Sequence, residues 1–598
     1  MTANRALINA LAARQYTHFL APKANVWSVA AARPLRTNSN ALPGRYTRNF
    51  SSSSKSNSLN SSGANRGHGG QSGRPGTWTM PRALALSAFT GAGTYLLGMG
   101  IKGHERNPAL EASIVLNLED IPVYGNSKDM QNAIHDIRHN LGEDSISTDD
   151  EDLLLHGYSE WSTTNVERLP VAVAYPKNTD EVALIAKTCH KYRVPMIPFS
   201  GGSSLEGNFS APYGGMSIDF SYMDQILAVH EEDMDVVVQP AVSWMSLNEQ
   251  IQSTGLFFPV DPGPSAKIGG MVGTNCSGTN AVRYGTMKDW VINLTVVLAD
   301  GTVIKTRKRP RKSSAGYNLN SLFIGSEGTL GLVTEITLKL AVIPKETSVA
   351  VVTFPSIREA AAAASKVIRS GVQVAAVEMM DEVQMMVINK SKSTKKVWKE
   401  VPTLFFKFSG TQSGIQSDID TVRSIAKEFN GGEFEFARTI EEQKMLWSAR
   451  KEALWSMLAL RQKSGDVWST DVAVPLSRLA DIIELSKKEL DDLGMFASVL
   501  GHIGDGNFHE SIMYDKTNPK ERAAVEKCVH TMVDRALEMD GTCTGEHGVG
   551  LGKKEYLIKE LGLDTIGVMR KLKLALDPLW LLNPGKIVDV ISPELDTH

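Results

Sequence analysis

The hydrophobic rhythm of the chain changes along its length. Between residues 170 and 345, short apolar runs of strand length alternate with helical periodicity and glycine-rich breaks. Val171–Tyr175, Val194–Phe199, Met216–Phe220 and Val236–Gln239 read as strands. Thr179 stands where it would cap a helix, and Val182, Ile185, Ala186 and Cys189 then recur at i, i+3, i+4 and i+7 as one buried stripe. Leu294–Leu298 and Thr302–Thr306 flank Asp300-Gly301, a hairpin signal. From about residue 346 the elements lengthen. Ser348–Phe354 and Thr403–Ser409 read as strands, Ile357–Ser370 as an Ala-rich helix, and 416–430, 440–462 and 476–493 as amphipathic helices. Glycine-rich loops return at 501–507 and 541–552. The pattern predicts two domains sharing a cleft, where ligands usually sit.

Charge separates this body from what precedes it. The first 104 residues hold twelve Lys or Arg and no Asp or Glu, so a net charge of −3 for 598 residues leaves −15 on the remainder. An acidic body excludes nucleic acid as the expected partner. Arginines spread through Ala, Leu, Ser and Asn, followed by a Gly/Ser/Asn linker, make 1–77 a mitochondrial transit peptide and linker. Residues 83–101 are uncharged between Arg82 and Lys102, the length of a transmembrane or sorting segment. Arginines kept on the matrix side would place the body at the inner membrane facing the intermembrane space. Four cysteines, none in a CxxC pair, exclude a disulfide-stapled fold and a cysteine zinc site.

Three glycine-rich segments carry the first chemistry. Pro198-Phe199-Ser200-Gly201-Gly202-Ser203-Ser204-Leu205-Glu206-Gly207-Asn208 follows a strand, and its adjacent glycines let consecutive N–H groups face one concavity. It is neither GxGxxG nor a P-loop. The second segment runs from Asp261-Pro262 through Gly269, Gly270, Gly273, Thr274, Asn275, Ser277 and Gly278 to Arg283-Tyr284-Gly285. Its small residues let backbone approach a large flat ligand. The third is Gly325-Ser326-Glu327-Gly328-Thr329-Leu330-Gly331. With PKNTDEV at 176–182, these motifs resemble, over 168–345, the FAD-binding domain of the vanillyl-alcohol-oxidase class of flavoproteins. The resemblance implies that the first nest holds the pyrophosphate and that 261–286 lines the isoalloxazine and ribityl chain. The nest has no His or Cys for covalent attachment, so a dissociable FAD is expected, with Cys276 the nearest nucleophile.

The second chemistry is a histidine cluster. His502 and His509 surround Asp505-Gly506; on a straight strand they would point to opposite faces, and a reversal at Asp-Gly would let them converge. Glu546-His547 follows among glycines. Two His and one Glu leave open coordination positions, as a catalytic divalent metal needs. Residues 346–590, including Leu576-Asp577-Pro578 and Leu582-Asn583-Pro584-Gly585-Lys586, resemble the cap region of FAD-dependent D-2-hydroxy acid dehydrogenases. That resemblance implies zinc or a similar ion on His502, His509 and Glu546, His547 as base, Arg450 as clamp for the substrate carboxylate, and Asn583 in the FAD site.

The expected architecture is therefore α+β: a two-subdomain α/β FAD-binding domain (106–345), an α+β cap (346–574) and a C-terminal segment (575–598) returning to the FAD domain. The expected reaction is oxidation of a small 2-hydroxy acid. Relatives acting on five-carbon diacids carry a basic residue where Ser469 stands, and bulky Trp468 adjoins it, which favours D-lactate, giving pyruvate. D-2-hydroxyglutarate or glycolate oxidation in the same family, and flavin-dependent ether-lipid synthesis on the same fold, stay open. Location points to cytochrome c, a basic protein, as electron acceptor for the −15 body.

Overall fold

The computed structural model describes residues 122–590 apart from 438, 462 and 463. The transit-peptide, linker and 83–101 readings, and residues 591–598, lie outside the described residues. Among those described, no helix is long and apolar enough to cross a membrane.

The first layer is a four-stranded sheet in the order Ile146–Ser147, Ala172–Ala174, Met216–Asp219, Met196–Phe199, with its last three strands parallel. Parallel strands need cover on both faces, and helices Ser127–Leu141 and Thr179–Tyr192 contribute to it. The expected stripe Val182, Ile185, Ala186 and Cys189 is fully buried in this core. The cap of that helix is Asn178, whose side chain accepts from Glu181 N, rather than Thr179. Residues near the C-terminus complete the sheet: Met196 N donates to Leu581 O, Asn583 N donates to Met196 O, and Leu581 and Leu582 join the same core.

The second layer is antiparallel, in the order Ile226–His230, Asp235–Val238, Leu332–Lys339, Val291–Val297, Val303–Lys305. The Asp300-Gly301 hairpin joins its last two strands, with Gly301 at φ 86°. The glycine-rich second segment is not wholly loop: Ile268–Thr274 forms a short helix that buries Ile268, Met271 and Val272. Tertiary burial of those apolar residues overrides the low helix propensity of Gly269, Gly270 and Gly273.

The cap is built on one large antiparallel sheet. Its strands run in the order Glu435–Phe436, Glu346–Thr353, Thr403–Gly410, Val374–Met380, Phe496–Gly501, Asn507–Asp515, Gly465–Ser469. Helices Ile357–Arg369, Gln412–Glu428, Leu479–Asp492 and Pro519–Glu538 cover one face. Ala360, Ala361, Ala363 and Ala364 let the first of these approach the sheet closely. The 440–462 stretch is two helices, Ile440–Lys451 and Ala453–Ala459, broken at Glu452. Buried Leu446, Ala449 and Ala453, from both helices, share one core cluster with Val349, Val351 and Met380.

Candidate active site

The Ser200–Asn208 nest leaves the carboxyl end of Met196–Phe199, the edge at which parallel sheets bind ligands. Gly202 (φ 58°) packs so tightly on Phe199 that a Cβ would lie 2.5 Å from its ring. The three glycine segments meet. Ser200 Oγ and Gly269 N both donate to Pro240 O. Gly325 N donates to Val272 O, and Glu327 N to Gly273 O. A Cβ at Gly328 would lie 2.2 Å from Pro198 Cγ. Gly331 serves packing instead, facing Val296.

Gly263 and Gly270 have no atom within 4 Å of where a Cβ would stand, and the nearest to Gly273 is at 3.9 Å. Asn208 Oδ1 is buried without a partner among the described residues. Bare backbone and an unused acceptor fit a flat, polar-edged ligand such as FAD. Ser203 and Ser204 remain at least partly exposed at the nest, and Gly207 N is held by Ser162 Oγ. Several side chains of the set brace the protein. Asn275 (φ 52°) accepts from Thr286 and Lys288 N, Thr274 bonds its own helix, and Tyr284 packs between Phe257 and Trp290. Arg283 donates to Gln373 O and Ser409 O of the cap. Asn583 Nδ2 donates to Asn208 O and Glu327 O, tying the C-terminal segment to both the first and third glycine segments.

The histidines converge. Strands Phe496–Gly501 and Asn507–Asp515 pair with Leu500 opposite His509, and the chain reverses through 502–506 with Gly506 at φ 80°. A Cβ there would stand 2.2 Å from Val474 O, so only glycine permits the turn. The rings of His502 and His509 are 5.6 Å apart, and both Nε2 atoms lie 3.3 Å from Glu546 Oε1. Each Nδ1 is occupied: His502 against Glu378 Oε1 at 2.8 Å, His509 against Thr470 O at 2.9 Å. Those partners orient each ring and aim both Nε2 atoms at one point. Two imidazole nitrogens and a carboxylate oxygen within 4.8 Å of one another are a donor set that fits a divalent cation.

His547 stacks on His509 with ring centres 5.2 Å apart. Its Nδ1 faces Glu206 Oε1 at 3.8 Å and Asp471 Oδ2 at 4.0 Å, and Lys553 Nζ sits 3.3 and 3.5 Å from the same two oxygens. Asp471 Oδ2 also accepts the backbone N–H of Glu546 and of His547, fixing their loop. Burial opposes charge on His547, but Asp471 and Glu206 outweigh it and raise its pKa. Burial likewise opposes charge on Glu546, and the two histidines hold it well below the ordinary carboxylate value. Arg450 reaches the cluster from helix Ile440–Lys451, its Nε donating to Glu378 Oε2 at 2.8 Å.

The cluster and the glycine segments are physically joined. Ser277 Oγ donates to Glu546 Oε2 at 2.6 Å. Glu327 accepts from Val549 N, Gly550 N and Asn208 Nδ2, and Glu206 O accepts from Leu551 N and Gly552 N. Sequence reasoning assigned no role to Glu378, Asp471, Glu206 or Lys553. Glu378 had a legible signal, a lone acid in the apolar run VAAVEMM, since buried charges are kept only when paired. One expectation is corrected. Trp468 pairs with Ile512 on the strand face opposite His509 and packs with Leu490, Ile512 and Tyr514, so it does not line the site.

Known proteins resemble this chain along most of its length. The family described as "FAD binding domain" matches residues 170–307, and "FAD linked oxidases, C-terminal domain" matches 343–587. The mitochondrial D-lactate dehydrogenase [cytochrome] of Arabidopsis thaliana is 45% identical over 528 residues, 86% of this chain and 91% of the relative. The protein of that name from Kluyveromyces lactis is 45% identical over 84% of this chain and 89% of its own length. Among solved structures, 4-ethylphenol oxidase from Gulosibacter chungangensis superposes with a TM-score of 0.66 at 18% identity, covering 79% of this chain and 99% of that one, a likeness of fold. The expected architecture, a two-subdomain FAD-binding domain of vanillyl-alcohol-oxidase type with an α+β cap, is the one observed, and the chain belongs to the family of FAD-linked oxidases that includes the mitochondrial D-lactate dehydrogenases [cytochrome].

Proposed function

We propose that this chain is a mitochondrial FAD-dependent dehydrogenase that oxidises D-lactate to pyruvate and passes the electrons to cytochrome c. The observation that carries the reading is the 2.6 Å bond from Ser277, in the segment resembling an isoalloxazine lining, to Glu546 in the imidazole cluster. One small molecule can touch both.

Bound FAD supplies the acceptor for the hydride leaving C2. A divalent cation, zinc in our reading, would be held by His502, His509 and Glu546 and would polarise the substrate hydroxyl. The protein's own groups do the rest. Arg450 keeps its terminal nitrogens for the substrate carboxylate, a planar two-point grip that selects the presented face. His547 has Nδ1 turned to Glu206 and Asp471, so Nε2 is the atom that takes the hydroxyl proton. The balance is D-lactate to pyruvate with two electrons and two protons released, one proton travelling with the hydride and the other to His547.

A dissociable FAD is supported by the nest, which has neither His nor Cys, and by Cys276, whose thiol burial pushes well above its ordinary value and away from the reactive thiolate. The preference for a small monoacid rests on Ser469, on the strand face shared with His509, and no longer on Trp468. Attachment to the inner membrane, with the body facing the intermembrane space, rests on residues 83–101.

The test is anaerobic addition of D- and L-2-hydroxy acids to purified protein, followed by flavin absorbance. D-lactate should bleach the flavin and L-lactate should not. Faster bleaching by D-2-hydroxyglutarate than by D-lactate would refute the substrate assignment.

A further inference from the structure

Strand Val374–Met380 is buried along its whole length and carries one charge, Glu378, 1% exposed. Its ladder with Phe496–Gly501 pairs Met379 with Gly501 and Met380 with Leu500, so Glu378 falls in register with His502 just beyond the last pair. Helix Ile440–Lys451 packs on the same strand through Leu446 and Ala449 beside Met380 and delivers Arg450 to the other oxygen. Glu378 Oε1 therefore faces His502 Nδ1 at 2.8 Å while Oε2 accepts the Arg450 Nε–H at 2.8 Å.

We propose that Glu378 is a positioning residue that acts as a caliper, fixing the distance between the cation centre and the carboxylate clamp. It rests on the reading of His502 as a cation ligand and Arg450 as the clamp. By accepting Nδ1–H it orients the His502 ring and aims Nε2 at Glu546 Oε1. By accepting Nε–H it fixes the guanidinium plane, and with it the direction of both terminal nitrogens. A 2-hydroxy acid carries hydroxyl and carboxylate on adjacent carbons, so the groups receiving them must stand a set distance apart. One rigid carboxylate bridging both sets it, and a 3-hydroxy acid, longer by one carbon, is refused. No other described side chain hydrogen-bonds to both His502 and Arg450.

The experiment uses FAD-loaded Glu378→Gln, Glu378→Asp and Arg450→Met protein. The readouts are divalent cation kept after dialysis against graded EDTA, KM for D-lactate, and the kcat/KM ratio of D-2-hydroxybutyrate to D-3-hydroxybutyrate. Glu378→Gln should weaken cation retention by ~10–100-fold, raise KM and lower the ratio, while Arg450→Met raises KM and leaves retention at the wild-type value. Glu378→Asp keeps the charge but is one methylene too short to span both partners. It should show the same losses to a smaller degree, including where Glu378→Gln fails to fold. Wild-type retention, KM and ratio in both Glu378 variants, with KM raised in Arg450→Met, would overturn the caliper and leave the clamp standing. An unchanged KM in Arg450→Met would overturn the clamp, and the caliper with it.

Discussion

Replacing Glu327 by Gln should cost progressively less stability as pH rises. Glu327 is 6% exposed, stands at φ 50°, and accepts from Val549 N at 2.7 Å, Gly550 N at 2.8 Å and Asn208 Nδ2. Burial pushes its carboxyl from 4.5 up to about 7, against the pull of those donors. The folded protein thus holds this proton more tightly than the unfolded chain does. Its stabilising contribution is complete below about 4.5 and is lost as pH rises through about 7. At about 1.4 kcal/mol for each pH unit between the two values, the loss is about 3 kcal/mol. Glutamine cannot ionise and escapes this loss, but its amide NH2 sets a donor against a backbone donor, costing about 1–3 kcal/mol. Glu327→Gln should therefore destabilise the protein by about 1–3 kcal/mol at pH 5 and be near neutral or mildly stabilising at pH 8. Urea unfolding followed by tryptophan fluorescence at pH 5, 6.5 and 8, with FAD content held equal, measures it. A destabilisation of the same size at all three pH values would refute the reasoning, because Glu327 would then be ionised throughout.

Other consequences follow from the same contacts. Gly328→Ala forces a Cβ onto the Pro198 ring at φ 71°, so it should cost at least ~2 kcal/mol and release FAD, measured as flavin-to-protein absorbance. Trp468→Leu should cost about 1–2 kcal/mol of cap stability yet leave the ratio of kcat/KM for D-lactate and D-2-hydroxyglutarate unchanged, because the ring packs away from His509. Acid precipitation should leave the yellow colour in the supernatant; colour in the pellet would mean a covalent bond to FAD.

Much of the site was legible because its chemistry is local. A nest of consecutive N–H groups needs adjacent glycines, and a reversal at Gly506 (φ 80°) needs Asp-Gly, so both are written as short words. The apolar stripe at Val182, Ile185, Ala186 and Cys189 placed its helix for the same reason, since periodicity of 3.6 is a property of the segment alone. Tertiary structure decided what depends on partners far along the chain. Glu378 meets residues 72 and 124 positions away, and Asp471 holds a loop 75 positions on. No spacing rule encodes such meetings; sheet register and helix packing do. The same holds for Trp468, whose side of the strand is set by pairing with Ile512 rather than by its neighbours in sequence. Residue type and short-range spacing thus determined which groups were available for binding and catalysis. Long-range pairing decided which of them face one another, because a carboxylate survives burial only where the fold brings donors to it.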